Sequence, residues 1–334
     1  MQSNALRIHL LDTSISTDNL GDEIIVRHAR SQLLQEFPKA YFSTSSSHDG
    51  LGQRGRRLAA EADIVFLLGS NALSGRFRYK GGHLPIGIRD ARAMAGKVVL
   101  YGVGSKGESS RMDHRQRWLW RHLLHPNVHH SVRDQLAQEL VVACGHKAIN
   151  TSCHTLWDLP DRLELLPGQR STVVFSLTHY RPAIELDRSF VAWLKKRYSR
   201  IALWAQQVED AKYLSEIGSI AEIEILAPNI EAYDRFLSQA NIDVIGTRLH
   251  GGIHALHHGH RSIIMSVDHR AAFIGKETGL AVTRREAGPV ALETLLNKKI
   301  TVDLSPVKAR RADFFSQFEG ETKARSAELS ASSP

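Results

Sequence analysis

The sequence predicts an α/β protein made of two doubly wound halves in tandem. Three observations carry that prediction. Short apolar runs that read as buried strands recur along the chain and end in glycine or asparagine: Asp63–Leu68 before Gly69-Ser70-Asn71, Lys97–Tyr101 before Gly102-Val103-Gly104, and Ile242–Ile245 before Gly246. Each hands over to a segment with helical apolar spacing, the alternation that builds a parallel sheet with helices on its faces. Midway, in Leu159–Arg170, two prolines and a glycine interrupt the pattern, and the alternation then starts again.

In chain order, Leu6–Leu11 reads as a first strand and Asp12–Gly21 as a polar, turn-rich loop. Asp22 opens a helix with Ile24, Ile25, Ala29, Leu33 and Leu34 at helical spacing, which Pro38 ends. Ala40–Ser47 reads as a short strand, Leu58–Ala62 and Ile88–Ala95 as helical, and Arg111–Leu124 as a strongly basic helix carrying Trp118 and Trp120. Val128–Val132 and Asp134–Cys144 close the half as strand and helix. After the break come strands at Thr172–Leu177, Arg200–Trp204, Glu222–Leu226, Ile242–Gly246 and Ser262–Val267. Helices at Asp187–Tyr198, Glu209–Ile217, Ile230–Ala240 and Val290–Lys298 alternate with them. Asp268–Gly279 reads as a loop, Thr301–Phe318 as a helix, and Gly320–Pro334 as a frayed Ser/Ala-rich tail. The expected domains are residues 1–165, 166–300 and a C-terminal helix and tail at 301–334. The expected ligand site is a cleft between the two α/β halves.

Composition narrows the function classes. The chain has 334 residues, is 42% hydrophobic, and carries a net charge of +8, which favours anionic partners. Its basic residues are spread out and no zinc-finger or RRM signature occurs, so nucleic acid is not expected. Two cysteines, Cys144 and Cys153, are too few for a disulfide framework. No run reaches the ~18 apolar residues of a membrane span and none suits a signal peptide. The expectation is a cytoplasmic protein, lying against a membrane at most.

The stretch Ile242–Gly259 concentrates the chemistry. A strand ends in Gly246-Thr247 and feeds a helix. The first N–H groups of such a helix lack partners and favour an anion. Arg248 adds a permanent forked cation and His250 a group that titrates near neutrality. Together they suit phosphate or carboxylate, although a surface arginine and a packed histidine remain the plainer alternative. Other motifs are weaker. In Asp18–Asp22, Gly21 can let a ligand approach while Asp22 caps a helix or meets a sugar hydroxyl. Gly102–Gly107 matches GxGxxG but sits late in its half, with no terminal acid about 20 residues on. Arg133, after a strand, projects into the cleft or pairs with Asp134. Arg270, in Asp268-His269-Arg270, faces the cleft or solvent. His250, His254 and His258 are spaced by four, but glycines weaken that helix and no HExxH pattern occurs, so no metal is expected.

Taken together, these pieces resemble the polysaccharide pyruvyl transferase family, from about Arg7 to Leu280. The matching segments are DNLGDEI, LLGSNALSG, the strand ending GVG, SVRD, the Cys-His-Thr-Leu-Trp turn, QQVEDAKYL and, most specifically, GTRLHGGIHAL. Two departures stand out. Gly69-Ser70-Asn71 replaces a run of three glycines, and Asp268-His269-Arg270 stands where the family commonly has a Tyr and a Lys. The resemblance implies a GT-B-like fold of two Rossmann-like domains facing a cleft. It also implies transfer of pyruvate from phosphoenolpyruvate to two hydroxyls of a saccharide, free or lipid-linked, in glycan biosynthesis at the inner face of the membrane. It gives His250 the role of general acid, with Arg133 and Arg248 as catalytic cations. The donor would be bound by Arg133, Arg248, Leu249, His250 and Arg270, the acceptor by Asn19, Asp22, Asn71 and His83, with no cofactor. A nucleotide-sugar glycosyltransferase and a non-catalytic carbohydrate-binding protein are the alternatives.

Overall fold

The computed structural model describes residues 5–74, 85–106, 111–218 and 220–319. They divide into two compact units: 5–17, 25–157 and 306–319 form the first, 18–24 and 158–305 the second.

In unit 1, strands β1 (Arg7–Asp12), β2 (Tyr41–Ser46), β3 (Ile64–Leu68) and, after a short β4 (Leu73–Ser74), β5 (Val98–Tyr101) make a parallel sheet in the order β2-β1-β3-β5. A short β6 (Ser105–Lys106) pairs with β4. The parallel pair β7 (His129–Val132) and β8 (Lys147–Asn150) continues the direction through a bridge from Val103 to Val132. The helices are α1 (Leu20–Glu36), whose residues up to Ile24 count with unit 2, α2 (Gln53–Glu61), α3 (Ile88–Met94), α4 (His114–Leu123) and α5 (Gln135–Ala143). The chain runs one way from β1 to β2 and the other way through β3, β5 and β7. Right-handed crossovers therefore put α1 on one face and α2, α3 and α4 together on the other. That second face is sealed by Ala59, Met94, Trp120, Leu123 and Leu140 over Val65, Leu67 and Leu100.

In unit 2, β9 (Arg162–Leu165) leads into β10 (Thr172–Ser176), β11 (Arg200–Leu203), β12 (Ile223–Ile225), β13 (Ile242–Gly246), β14 (Arg261–Ser266) and β15 (Val282–Arg284). The last six form one parallel sheet, β12-β11-β10-β13-β14-β15. That is the order 3-2-1-4-5-6 of a Rossmann sheet, in which the order of winding reverses between β10 and β13. Helices α6 (Ile184–Arg197), α7 (Val208–Glu216), α8 (Ile230–Leu237), α9 (Leu249–His257), α10 (His269–Thr278) and α11 (Gly288–Leu296) cover it. At the amino ends of the strands, Asp243 accepts from Arg261 Nε and Nη2, both at 2.8 Å, and from the Tyr198 hydroxyl at 2.8 Å. Arg261 also donates to the carbonyls of Gly168 and Leu296, so one buried pair ties the entry of the unit to its sheet. Burial beside the Asp243 carboxylate keeps the Tyr198 hydroxyl protonated well past its ordinary range.

Three expectations are corrected. Asp268–Gly279 is not a loop: Asp268 accepts from the Arg270 N–H and caps α10 (His269–Thr278), which Gly279 ends in the left-handed region. Thr301–Phe318 is not one helix: β16 (Ile300–Asp303) pairs antiparallel with β9, and only then does α12 (Ser305–Ser316) begin. β9 lies in the Pro/Gly-interrupted stretch, and its partner is far away in sequence, so no local pattern announces it. Nor are the described residues of the C-terminal segment, 306–319, a separate appendage: they count with unit 1. Phe314, Phe315 and Phe318 join Phe37, Phe66, Tyr101 and Trp157 in an aromatic cluster of unit 1. The tail Gly320–Pro334 lies outside the described residues. Among those residues, no helix is long and apolar enough to cross a membrane.

Two buried histidines make unit 1 acid-sensitive. Burial lowers His9 to about 4. Burial, with His146 nearby, lowers His130 to about 3, and His130 Nδ1 accepts the Leu100 N–H at 3.3 Å, a role that needs its lone pair. Both folded values lie below the unfolded one, so the unfolded chain binds more protons. The stability present above pH ~6.5 is lost as pH falls toward the folded values, by of order 5 kcal/mol for the pair at pH 4. Denaturant melts at pH 7, 5.5 and 4 should show this loss, and the double variant His9→Gln/His130→Gln should flatten it.

Candidate functional site

The order of winding reverses between the parallel strands β10 and β13, and the carboxyl ends of the strands at such a point are where α/β sheets take ligands. Gly246 ends β13 against β10 so closely that a Cβ there would lie 2.3 Å from Ser176 Oγ. Thr247 donates its N–H to Ser176 O at 3.0 Å, and its hydroxyl meets that of Thr178 at 2.8 Å. Arg248 follows, buried to 4% exposure.

The Arg248 fork is already engaged. Nε donates to Asp210 Oδ2 at 2.9 Å and to Leu177 O at 3.1 Å. Nη2 donates to Asp210 Oδ1 at 2.5 Å and to Gln207 Oε1 at 2.8 Å. Asp210, fully buried near the start of α7, also accepts from the His179 N–H and lies 3.0 Å from His179 Nδ1. The forked cation expected from the sequence to bind the donor is therefore largely taken up by a carboxylate of the same unit. The remaining nitrogen, Nη1, makes no hydrogen bond among the described residues. The Tyr180 ring lies 5.1 Å from the guanidinium carbon.

Leu249 is the first residue of α9 and His250 the second. His250 is brought to the DNLG segment by Gln206. The Gln206 carbonyl accepts the Leu20 N–H at 3.0 Å, its Nε2 donates to Asn19 Oδ1 at 3.1 Å, and its Oε1 accepts the Gly251 N–H at 3.1 Å. A Cβ on Gly21 would lie 2.7 Å from Gln206 Nε2 and 3.5 Å from His250 Nδ1, so a side chain there would push the Gln206 amide off Asn19. Asn19, not Asp22, sits at the cap of α1, its Oδ1 accepting the Gly21 N–H at 3.1 Å. Asp22 lies in the first turn, where a carboxylate complements the helix dipole. Both residues count with unit 2, although the sequence reading placed them in the first domain.

Arg270 stands in the first turn of α10, bound to Asp268 Oδ2 at 2.5 Å. Burial works against its charge, but Asp268 and then Tyr180 outweigh it and hold the guanidinium above its ordinary range. Tyr180 thus interacts with both Arg248 and Arg270, so side chains that follow β10, β13 and β14 share one edge of the sheet.

Arg133 and Asn71 belong to unit 1. Arg133, 6% exposed, donates from Nη2 to Asn71 Oδ1 at 2.5 Å. Asp134 Oδ1 caps α5 through the Ala137 N–H, and its two oxygens accept from Ser105. Gly104 of the GxGxxG match faces Arg133 Nε, so close packing against arginine explains it without a dinucleotide. Ser70 has φ 67° and Gly69 φ 60°, two left-handed residues in a row, which costs a serine about 1–2 kcal/mol. His83 and Gly107 lie outside the described residues.

A third group was underestimated in sequence. His254 Nε2 and His258 Nε2 lie 2.6 and 3.2 Å from one oxygen of Asp234 on α8. All three donor atoms lie within 4.8 Å of one another. Ligands on a tetrahedral zinc sit about 3.3 Å apart, given bonds of about 2.0 Å. The 2.6 Å contact is that of an imidazole–carboxylate hydrogen bond. Sequence reasoning also passed over Asp210, Gln206 and Tyr180. The first two lie in the quoted QQVEDAKYL segment, but nothing local says which carboxylate meets which arginine.

Removing Arg248 should first be felt as instability. Arg248→Ala leaves Asp210 buried without its main partner, at a cost of about 3–5 kcal/mol. Adding Asp210→Asn should restore at least half of that loss in urea melts. An alanine variant as stable as the parent would contradict the buried pair.

No curated protein matches the chain. Among solved structures, similarity extends to the E. coli heptosyltransferase WaaC with ADP-2-deoxy-2-fluoro heptose (15% identity, 78% of this chain and 88% of that one, TM-score 0.38). It extends also to a protein described as a UDP-N-acetylglucosamine 2-epimerase from Listeria monocytogenes (12%, 87% of each chain, TM-score 0.48). A third is S. aureus MnaA with UDP (11%, 87% and 88%, TM-score 0.47). A family model described as polysaccharide pyruvyl transferase matches residues 19–269, from the Asn19 cap through the RLH segment to His269. The chain belongs to the polysaccharide pyruvyl transferase family.

Proposed function

We propose that the chain transfers pyruvate from phosphoenolpyruvate to two hydroxyls of a saccharide, forming a ketal and releasing phosphate. The observation that supports this best is the join made by Gln206. It sets His250 beside Gly21 at the start of α9, two residues from an arginine with one nitrogen open at the sheet's reversal point.

The chemistry suits these groups. Phosphoenolpyruvate carries a carboxylate and a phosphate on one carbon, so its site needs more than one cation. Arg248 Nη1 can take one donor oxygen while Asp210 holds the rest of the guanidinium still. Arg270 and the first-turn N–H of Leu249 lie on the same edge, and oriented donors of this kind stabilise charge without reorganising. Arg270 is the second cation of this reading within unit 2, held by Asp268. His250 as imidazolium protonates the methylene carbon, and the carbon bearing phosphate becomes electrophilic. One saccharide hydroxyl adds there, phosphate departs, and the second hydroxyl closes the ketal. Of the two hydroxyl protons, one restores the acid that made the methyl group and the other leaves with phosphate. Arginines and helix N–H groups carry the charge, so the scheme asks for no metal or cofactor.

The test offers phosphoenolpyruvate with a panel of free and lipid-linked oligosaccharides and scores phosphate release and product mass. Nucleotide sugars serve as the competing donors, and glycosyl transfer from one of them would replace this reading. His250→Gln should cut turnover about 10²–10⁴-fold, because an amide hydrogen-bonds but supplies no proton. Donor affinity should fall far less. Turnover within a few-fold of the parent would remove His250 as the acid and turn attention to His83.

A further inference from the structure

The face of unit 1 formed by α2, α3 and α4 has a composition the proposed reaction does not use. The three helices contain eight arginines against two acidic residues, six of the chain's eight net positive charges. The acids are accounted for. Asp90 is buried and bound by Arg56 at 3.1 Å, and Glu61 pairs with Arg57 and Arg7. Arg54, Arg89 and Arg92 are exposed, as are Arg115, Arg117 and Arg121 on α4.

Helix α4 is divided cleanly. Gln116, Trp120 and Leu123 point into the core. Residues 114, 117, 118, 121 and 122 share the opposite side at helical spacing. There Trp118 is 59% exposed, its ring centre 4.2 Å from that of His122 at a tilt of 35°, with Arg117 and Arg121 beside it on the helix. On neighbouring α3, Ile88 is 75% exposed. Folding leaves two large apolar side chains in water, in a field of guanidinium groups.

We propose that this face docks on an anionic lipid surface, with the arginines against phosphate headgroups and Trp118 and Ile88 entering the interface. Tryptophan suits the headgroup boundary, where its ring is buried and its N–H stays wet. Basic residues near an anionic leaflet add attraction that salt screens. A nucleic acid would use the arginines and could stack on Trp118, but an aliphatic Ile88 offers it nothing. The proposal concerns unit 1 alone and does not depend on the reaction assigned above.

The test is co-sedimentation with vesicles of phosphatidylcholine, with and without phosphatidylglycerol, using the full chain. Binding should require the anionic lipid and weaken steeply as salt rises from about 0.1 to about 1 M. Arg115→Gln/Arg117→Gln/Arg121→Gln should lower the partition coefficient about 100-fold. Tryptophan emission should shift to the blue on binding, and Trp118→Phe should abolish the shift. All four substituted side chains are exposed, so thermal melts should match the parent and exclude misfolding. Equal binding to neutral vesicles, variants that bind like the parent, or tighter binding to single-stranded RNA than to the vesicles would each overturn the proposal.

Discussion

The buried pair between Asp210 and Arg248 is the constraint on which the candidate site rests. A guanidinium taken out of water must be met by acceptors, and a carboxylate alone satisfies only part of it. Here Asp210, Gln207 and the Leu177 carbonyl meet two nitrogens, from α7 and from the loop after β10. The cation is thereby fixed at the one place in the sheet where loops from β10 and β13 part. An unpaired arginine would wander and lose rotamer entropy on binding; a held one has already lost it. The same pair fixes His179 and places the neighbouring Tyr180, which in turn interacts with Arg270.

Gln206 does for the imidazole what Asp210 does for the arginine. Its amide accepts an orphan N–H from the first turn of α9 and donates to Asn19, while its carbonyl takes Leu20. Three hydrogen bonds, each of modest net worth, register the start of α1 against the start of α9. Ile24 adds an apolar share by packing with Val174, Trp204 and Val244. Two helix starts of one unit are thus joined through a residue that neither contains.

Most of the fold was legible because its signals are local. The strand Ile242–Gly246 was read to the residue, and most helices to within a few residues, since burial imposes apolar spacing on each element separately. What failed was non-local. β9 and β16 pair across more than 130 residues, and the last helix returns to unit 1 through its phenylalanines. α10 was hidden because its cap, Asp268, reads equally well as loop chemistry. In the site, Arg248 and His250 stood out by residue type, and the structure places both at the carboxyl edge of the sheet. Asp210 and Gln206 did not stand out, because an acid or an amide at a helix start is ordinary until its partner is known. The sequence therefore suggested an open cation fork where the fold holds a guarded one.

The central claim is that the guarded Arg248 at the sheet's reversal point is the anion site of unit 2. The most direct measurement is the calorimetric affinity of phosphoenolpyruvate for the parent and for Arg248→Ala/Asp210→Asn, in which charge is removed in balance and the fold kept. The account predicts binding weaker by about 2–4 kcal/mol in the double variant, the worth of a charge-assisted contact in a desolvated site. Equal affinity in the two proteins would contradict it.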